Sequence, residues 1–159
     1  MMRTDTQPLT RTYFFRPDVD KPAYKNNRPG VDAGYDLYSL EDKWLMPFQT
    51  HVLKTNSHIH IPKGLLGRVT SRSGHSKKGW LTHPGTIDHG YTGNIGVIMT
   101  NLSLFPRRIK AGTRIAQIIF MPFVAPEMEE VDDDHFYCLV ERLSGSSRGE
   151  TGFGDSGEH

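Results

Sequence analysis

Apolar and polar residues change places every one or two positions along most of this chain. Within residues 56–62 the run His58-Ile-His-Ile61 alternates polar and apolar side chains, as a strand with one buried face must. Short runs rich in β-branched and aromatic residues at 13–15, 59–61, 65–70, 95–100 and 115–120 predict further strands. Pro29-Gly30, Pro62-Lys-Gly64 and Pro84-Gly85 punctuate them as turns. No window sustains helical periodicity for long, and the best helix candidate is a short one near residues 73–78. Many short strands at close spacing predict an all-β sandwich or barrel, with no internal repeat.

Composition narrows this picture. With 159 residues the chain fits one domain with tails and can bury a core without staples. Nineteen Lys and Arg against eighteen Asp and Glu leave a net charge of +1, too little for sequence-independent attraction to nucleic acid or anionic membrane. No apolar run approaches the roughly 18 residues of a membrane helix. The single cysteine, Cys138, excludes an internal disulfide framework. Residues 1–12 lack the apolar stretch of a secretory signal, so the expected location is cytoplasmic (nuclear for a eukaryote or its virus) and not secreted. The expected organisation is a tail over 1–12, a β domain over 13–143 and a mobile arm over 144–159. The acidic stretch 127–134 reads as a solvated loop. The arm has five glycines and almost no apolar side chains, yet carries Arg148 and Phe153, as a segment that orders over a ligand would.

Three stretches carry candidate chemistry. A strand runs into Arg72-Ser73-Gly74, where an arginine fork, a hydroxyl and a closely approachable backbone suit phosphate oxygens. Taken alone, it is an ordinary strand–turn with a surface arginine. It is neither a Walker loop nor a nucleophile elbow. Residues 85–96 read as a β-hairpin with permissive glycines, in which Asp88 either caps a turn or acts as a general base, and Tyr91 either packs or stacks on a sugar or base. Gln117 interrupts an apolar strand and needs a partner, either another strand or a phosphate. His58 and His60 share a strand face, but no third ligand stands at a spacing that makes a structural zinc site.

Taken in order, these pieces resemble the homotrimeric dUTPases, the dUTP nucleotidohydrolases, which carry five ordered motifs. They are similar to Ala33-Gly-Tyr-Asp-Leu-Tyr-Ser39, Gly67-Arg68 leading to Arg72-Ser-Gly74, Gly85-Thr-Ile-Asp-His-Gly-Tyr91 continuing to Gly93-Asn-Ile-Gly96, Gly112-Thr-Arg-Ile-Ala-Gln-Ile-Ile119, and the tail Arg148-Gly-Glu-Thr-Gly-Phe-Gly-Asp-Ser-Gly157. The resemblance implies a jelly-roll β fold with one short helix and a flexible glycine-rich C-terminal arm. It implies a trimer with three shared active sites, and hydrolysis of dUTP to dUMP and pyrophosphate, which keeps uracil out of DNA and supplies dUMP for thymidylate synthesis.

The same resemblance assigns roles. Asp88 would activate the water that attacks the α-phosphorus. Tyr91 would stack under the deoxyribose and exclude a 2′-hydroxyl. Backbone at Gly85, Thr86, Ile87 and Gly96 would form the uracil pocket. Arg72, Ser73, Gly74 and Gln117 would hold phosphates. Arg148 would reach the γ-phosphate, Phe153 would cover the uracil, and Gly154 and Ser156 would add donors. Mg²⁺ would sit mainly on phosphates and water, with Asp36 in its outer shell or at a subunit contact.

Some positions depart from the family pattern. His75 follows Arg-Ser-Gly where an apolar residue is usual. The connection from Arg72 to Gly85 is about one residue short, and Pro84 precedes that glycine. Asp155 replaces a small hydroxyl residue, and its charge should weaken closure of the arm. The related dCTP deaminases need a glutamate after the hairpin, and residues 93–101 contain none. A dUTPase-like binding module that holds a regulatory protein partner stays open beside catalysis.

Overall fold

The computed structural model describes residues 14–16, 24–26 and 28–144. The chain forms two compact units, residues 1–124 and 125–159. In the first, strands β1 (Phe14–Arg16), β2 (Tyr24–Lys25), β3 (Tyr35–Tyr38), β4 (Lys43–Leu45), β5 (Thr50–Lys54), β6 (His58–His60) and β7 (Leu65–Thr70) precede a four-residue helix α1 (Ser73–Ser76). Strands β8 (Trp80–Thr82), β9 (Gly85–Ile87), β10 (Gly96–Asn101), β11 (Arg107–Ile109) and β12 (Arg114–Pro122) complete it. In the second unit the described residues form one longer helix, α2 (Asp133–Ser144).

All pairings among the described residues are antiparallel. A five-stranded sheet runs β2-β3-β12-β7-β9 and a three-stranded sheet runs β5-β10-β8, with β1-β6 and β4-β11 as smaller pairs. This is the jelly-roll type of all-β fold. Its core is built by alternation. In β7, Leu65, Gly67 and Val69 point inward, and β12 contributes Ile115, Ala116 and Ile118. From the facing sheet come Leu53, Val97 and Met99, so two apolar faces interdigitate as in a sandwich. A Cβ at Gly67 would lie 2.8 Å from Ile118 Cδ1, so the glycine lets the β12 side chain settle against β7.

The predicted strand over 65–70 is observed at those limits, and those near 59–61, 95–100 and 115–120 appear within one or two residues. Two local expectations are corrected. Residues 85–96 are not a hairpin, because β9 pairs with β7 whereas β10 pairs with β5 and β8. The cause is Ile95, which is fully buried and donates its N–H to Ser57 O at 2.9 Å, drawing the chain across to the other sheet. The second correction is α2, which begins in the acidic stretch read as a loop. Asp132 caps it, its Oδ1 accepting the His135 N–H at 2.8 Å.

Candidate active site

Asp36 lies on β3, opposite Gln117 of β12, and is almost completely buried. Its Oδ1 lies 2.6 Å from Arg72 Nε and its Oδ2 3.3 Å from Arg114 Nη1. The side chains are 10% exposed for Asp36 and 25% for Arg72, so this pair is partly shielded from water and holds the arginine in one orientation. Arg72 has extended backbone and starts α1, its carbonyl accepting the N–H groups of His75 and Ser76. The N–H groups of Ser73 and Gly74 stand ahead of the first helical hydrogen bond. A Cβ on Gly74 would meet nothing within 4 Å, which leaves that backbone open to a ligand.

Gln117 finds its partner in this same turn. Its Nε2 donates to Ser71 O at 3.1 Å, and its Oε1 lies where a Cβ on Gly34 would come within 2.5 Å. The strand glutamine thus fixes the residue preceding Arg72. Together Asp36, Arg72, Ser73, Gly74 and Gln117 line one cavity of about 510 Å³, whose other wall is the loop carrying Arg28, Val31, Asp32, Ala33 and Gly34. Sequence reasoning missed Arg28 and Asp32. Their four-residue spacing was the only available signal, and it is common among ordinary surface pairs.

The second group of expected site residues lies elsewhere. None of Gly85, Thr86, Ile87, Asp88, Tyr91 and Gly96 lines that cavity. β9 is the edge strand of the five-stranded sheet, so one side of Gly85, Thr86 and Ile87 has no partner strand among the described residues. That edge can read the donor–acceptor pattern of a flat heterocycle. Thr86 Oγ1 accepts from Arg68 Nη1 at 2.9 Å. Asp88 is exposed at the end of β9, and its carbonyl accepts the Tyr91 N–H. Gly90 takes a φ of +82°, which lets the chain reverse there.

The Tyr91 ring folds over Gly93 and its hydroxyl donates to Asn94 O at 2.9 Å. Beside the turn, His89 stacks on Phe123 with 6.3 Å between ring centroids. A Cβ on Gly96 would lie 2.9 Å from Val52 Cγ1, so a side chain at the start of β10 would have to shift that valine. Arg148, Phe153, Gly154, Ser156 and Asp155 lie outside the described residues.

One departure from the family pattern has a visible consequence. Burial, and then the charges of Arg72, Lys78, Arg107 and Arg114, push the His75 imidazole below its usual value of 6.5. Its Nδ1 is buried with no hydrogen-bond partner among the described residues.

A sequence profile of the dUTPase family matches residues 21–157. The chain belongs to the dUTPase family. Its relatives include the deoxyuridine 5′-triphosphate nucleotidohydrolase of Vaccinia virus strain Copenhagen, 40% identical over 81% of each chain, and that of Variola virus, 39% identical over 79% of each chain. Among solved structures, the Staphylococcus bacteriophage 80alpha dUTPase with dUpNHpp superposes at a TM-score of 0.81, with 32% identity over 94% of this chain and all of the other. A point mutant of the dUTPase from phage phi11 of S. aureus, described with a structural Mg(II) ion, gives 0.72 and 28% identity over 77% of this chain and 98% of the other. As a dUTPase this chain is an enzyme, a dUTP diphosphatase acting on a phosphoric anhydride.

Proposed function

We propose that the chain hydrolyses dUTP to dUMP and pyrophosphate by attack of water on the α-phosphorus, as a homotrimer with shared sites. The observation that carries this is the separation of the site into two halves. Anion-binding groups converge on one cavity, while the free edge of β9, Asp88 and Tyr91 stand outside it. A nucleotide that engages both halves is best served by a neighbouring copy. Val52, Leu81 and Ile98 lie exposed on one face of the β5-β10-β8 sheet, an apolar surface that suits a subunit contact.

In this reading Asp88 takes the proton of the attacking water. β9 backbone reads uracil too closely for a 5-methyl group, and Tyr91 supports the deoxyribose. Arg72, Ser73, Gly74 and Gln117 orient the phosphates, and the arm closes with Arg148, Phe153, Gly154 and Ser156. Phosphoryl transfer asks mainly for positioning and charge stabilisation, which these groups supply. Among the described residues no three His, Cys, Asp or Glu side chains are grouped to hold a metal. Mg²⁺ carried on the phosphates needs no such cage. Both Asp36 oxygens already face arginines, so a contact through water in the outer shell is the kind left to it. When bound, the ion neutralises charge on the phosphate oxygens.

The test is pyrophosphate release from dUTP, run beside dCTP, dTTP and UTP, with Asp88→Asn as control. Release from dUTP alone is expected, with the variant slower by about 10²–10⁴-fold, the usual worth of a general base. Ammonia from dCTP, or an unimpaired Asp88→Asn, would overturn the reading. A nucleotide-dependent protein partner is the second reading. The phage 80alpha dUTPase is described as controlling transfer of virulence genes by a proto-oncogenic G protein-like mechanism, and α2 here exposes Phe136, Tyr137 and Leu143. Capture of one partner with dUpNHpp and not without it would support that role.

A further inference from the structure

The cavity that holds Arg72 is electrically balanced before any ligand enters. Two cations, Arg28 and Arg72, and two carboxylates, Asp32 and Asp36, line it. Arg72 is committed to Asp36 in a shielded pair. Arg28 is different, with a side chain 71% exposed. Its Nε and Nη2 lie on the Asp32 carboxylate, at 2.7–3.2 Å, while Nη1 has no partner among the described residues.

Its backbone is hydrogen-bonded on both sides. Arg28 N donates to Asn26 Oδ1 at 3.0 Å, its carbonyl accepts from the N–H groups of Val31 and Asp32 at 2.9 Å, and Asn26 Nδ2 ties back to Asp32 O at 2.8 Å. A hydrogen-bonded turn over residues 28–32 therefore carries a solvent-exposed guanidinium, held by Asp32 along one edge, at the rim of the cavity that holds Arg72.

We propose that Arg28 is a further phosphate-binding residue, bridging Asp32 to the phosphates of the nucleotide beyond the reacting one. The inference rests on the dUTP-hydrolase reading and adds a residue to it. An exposed ion pair contributes little by itself, so tilting Arg28 towards the ligand gives up little. A guanidinium on phosphate oxygens makes charge-assisted bonds in a geometry matched to its fork. Asp32 keeps the Nε edge and aims the remaining donors. The outer two phosphates are those that dUMP lacks, so a residue serving them separates dUpNHpp from dUMP.

The experiment compares wild type, Arg28→Gln and Arg28→Lys, using titration calorimetry with dUpNHpp and with dUMP, and dUTP kinetics. Far-UV circular dichroism checks the fold. Arg28→Gln is expected to weaken dUpNHpp binding roughly tenfold, the worth of one charge-assisted bond, and to leave dUMP binding unchanged. KM should rise with kcat nearly constant, and Arg28→Lys should recover part of the loss. Unchanged dUpNHpp binding in Arg28→Gln overturns the inference, and so does an equal loss for dUMP, which would mark damage to the loop. If wild type hydrolyses dUTP, either result sinks the role of Arg28 alone. If wild type neither hydrolyses dUTP nor binds dUpNHpp, the hydrolase reading falls with it.

Discussion

Asp36 shows how one side chain sets the chemistry of several. It faces two arginines from within the sheet, so removing its charge leaves Arg72 half-shielded without a counter-ion. Asp36→Asn should lower stability by about 2 kcal/mol in urea unfolding and reduce kcat/KM on dUTP roughly tenfold. His75 makes the opposite kind of contribution. Its folded pKa lies below the unfolded value of 6.5, so the native state resists a proton that the unfolded chain accepts. Its effect on stability is therefore constant above that value, and stability falls as pH drops through 6.5 towards the folded pKa. His75→Leu removes both this slope and a buried unpartnered nitrogen, worth about 1–2 kcal/mol. Thermal melts across about pH 5–8, the range in which a histidine titrates, should show the variant more stable, with the gap widest on the acid side. The sequence revealed Asp36, Arg72 and Gln117 as polar residues in motif positions. It could not reveal that Asp36 pairs with Arg72 or that Gln117 bonds Ser71, because 36 and 117 come side by side only through the register of β3 against β12.

At the scale of elements, the connections carry the information. Asn101 is fully buried at the end of β10, sharing its amide between the carbonyls of Leu45, Met46 and Phe105 while its Oδ1 accepts from Ser103. It thereby joins the β4–β5 turn to the β10–β11 loop. Asn101→Ala should cost about 3 kcal/mol, read from urea unfolding, because several buried groups lose partners together. The β9–β10 connection has a different constraint. A Cβ on Gly93 would collide with the Tyr91 hydroxyl, so Gly93→Ala must displace that ring. If Tyr91 supports the deoxyribose, the variant should raise KM for dUTP and narrow the preference over UTP, while the thermal midpoint moves little. Strands β7 and β12 were legible because they are long and apolar. β4 and β11 were not, since three residues such as Lys43-Trp-Leu45 look the same in a strand and in a turn. α2 was missed although Asp132 caps it and Phe136, Leu139, Val140 and Leu143 follow helical spacing. The acidic run 127–134 overlaps its first turn, and such a run has the composition of a solvated loop.

For the whole molecule, the proposal that two halves of the site meet across subunits makes assembly part of catalysis. Light scattering should give a trimer, and Ile98→Lys, on the exposed apolar face beside Val52, should yield folded monomers with little dUTPase activity. A variant that stays trimeric and fully active would remove that face from the subunit contact.

The residues by themselves determined the fold class and the family. Alternation records which side chains are buried, and ordered motifs record which backbone and side-chain groups must meet a ligand. Only the tertiary structure decided that Asp36 restrains Arg72, that Gln117 braces Ser71, that residues 85–96 cross between sheets, and that Arg28 borders the cavity holding Arg72. Each of these depends on which strands lie side by side and in what register. That is settled by burying the two apolar faces together, a property of the whole chain that no local window contains.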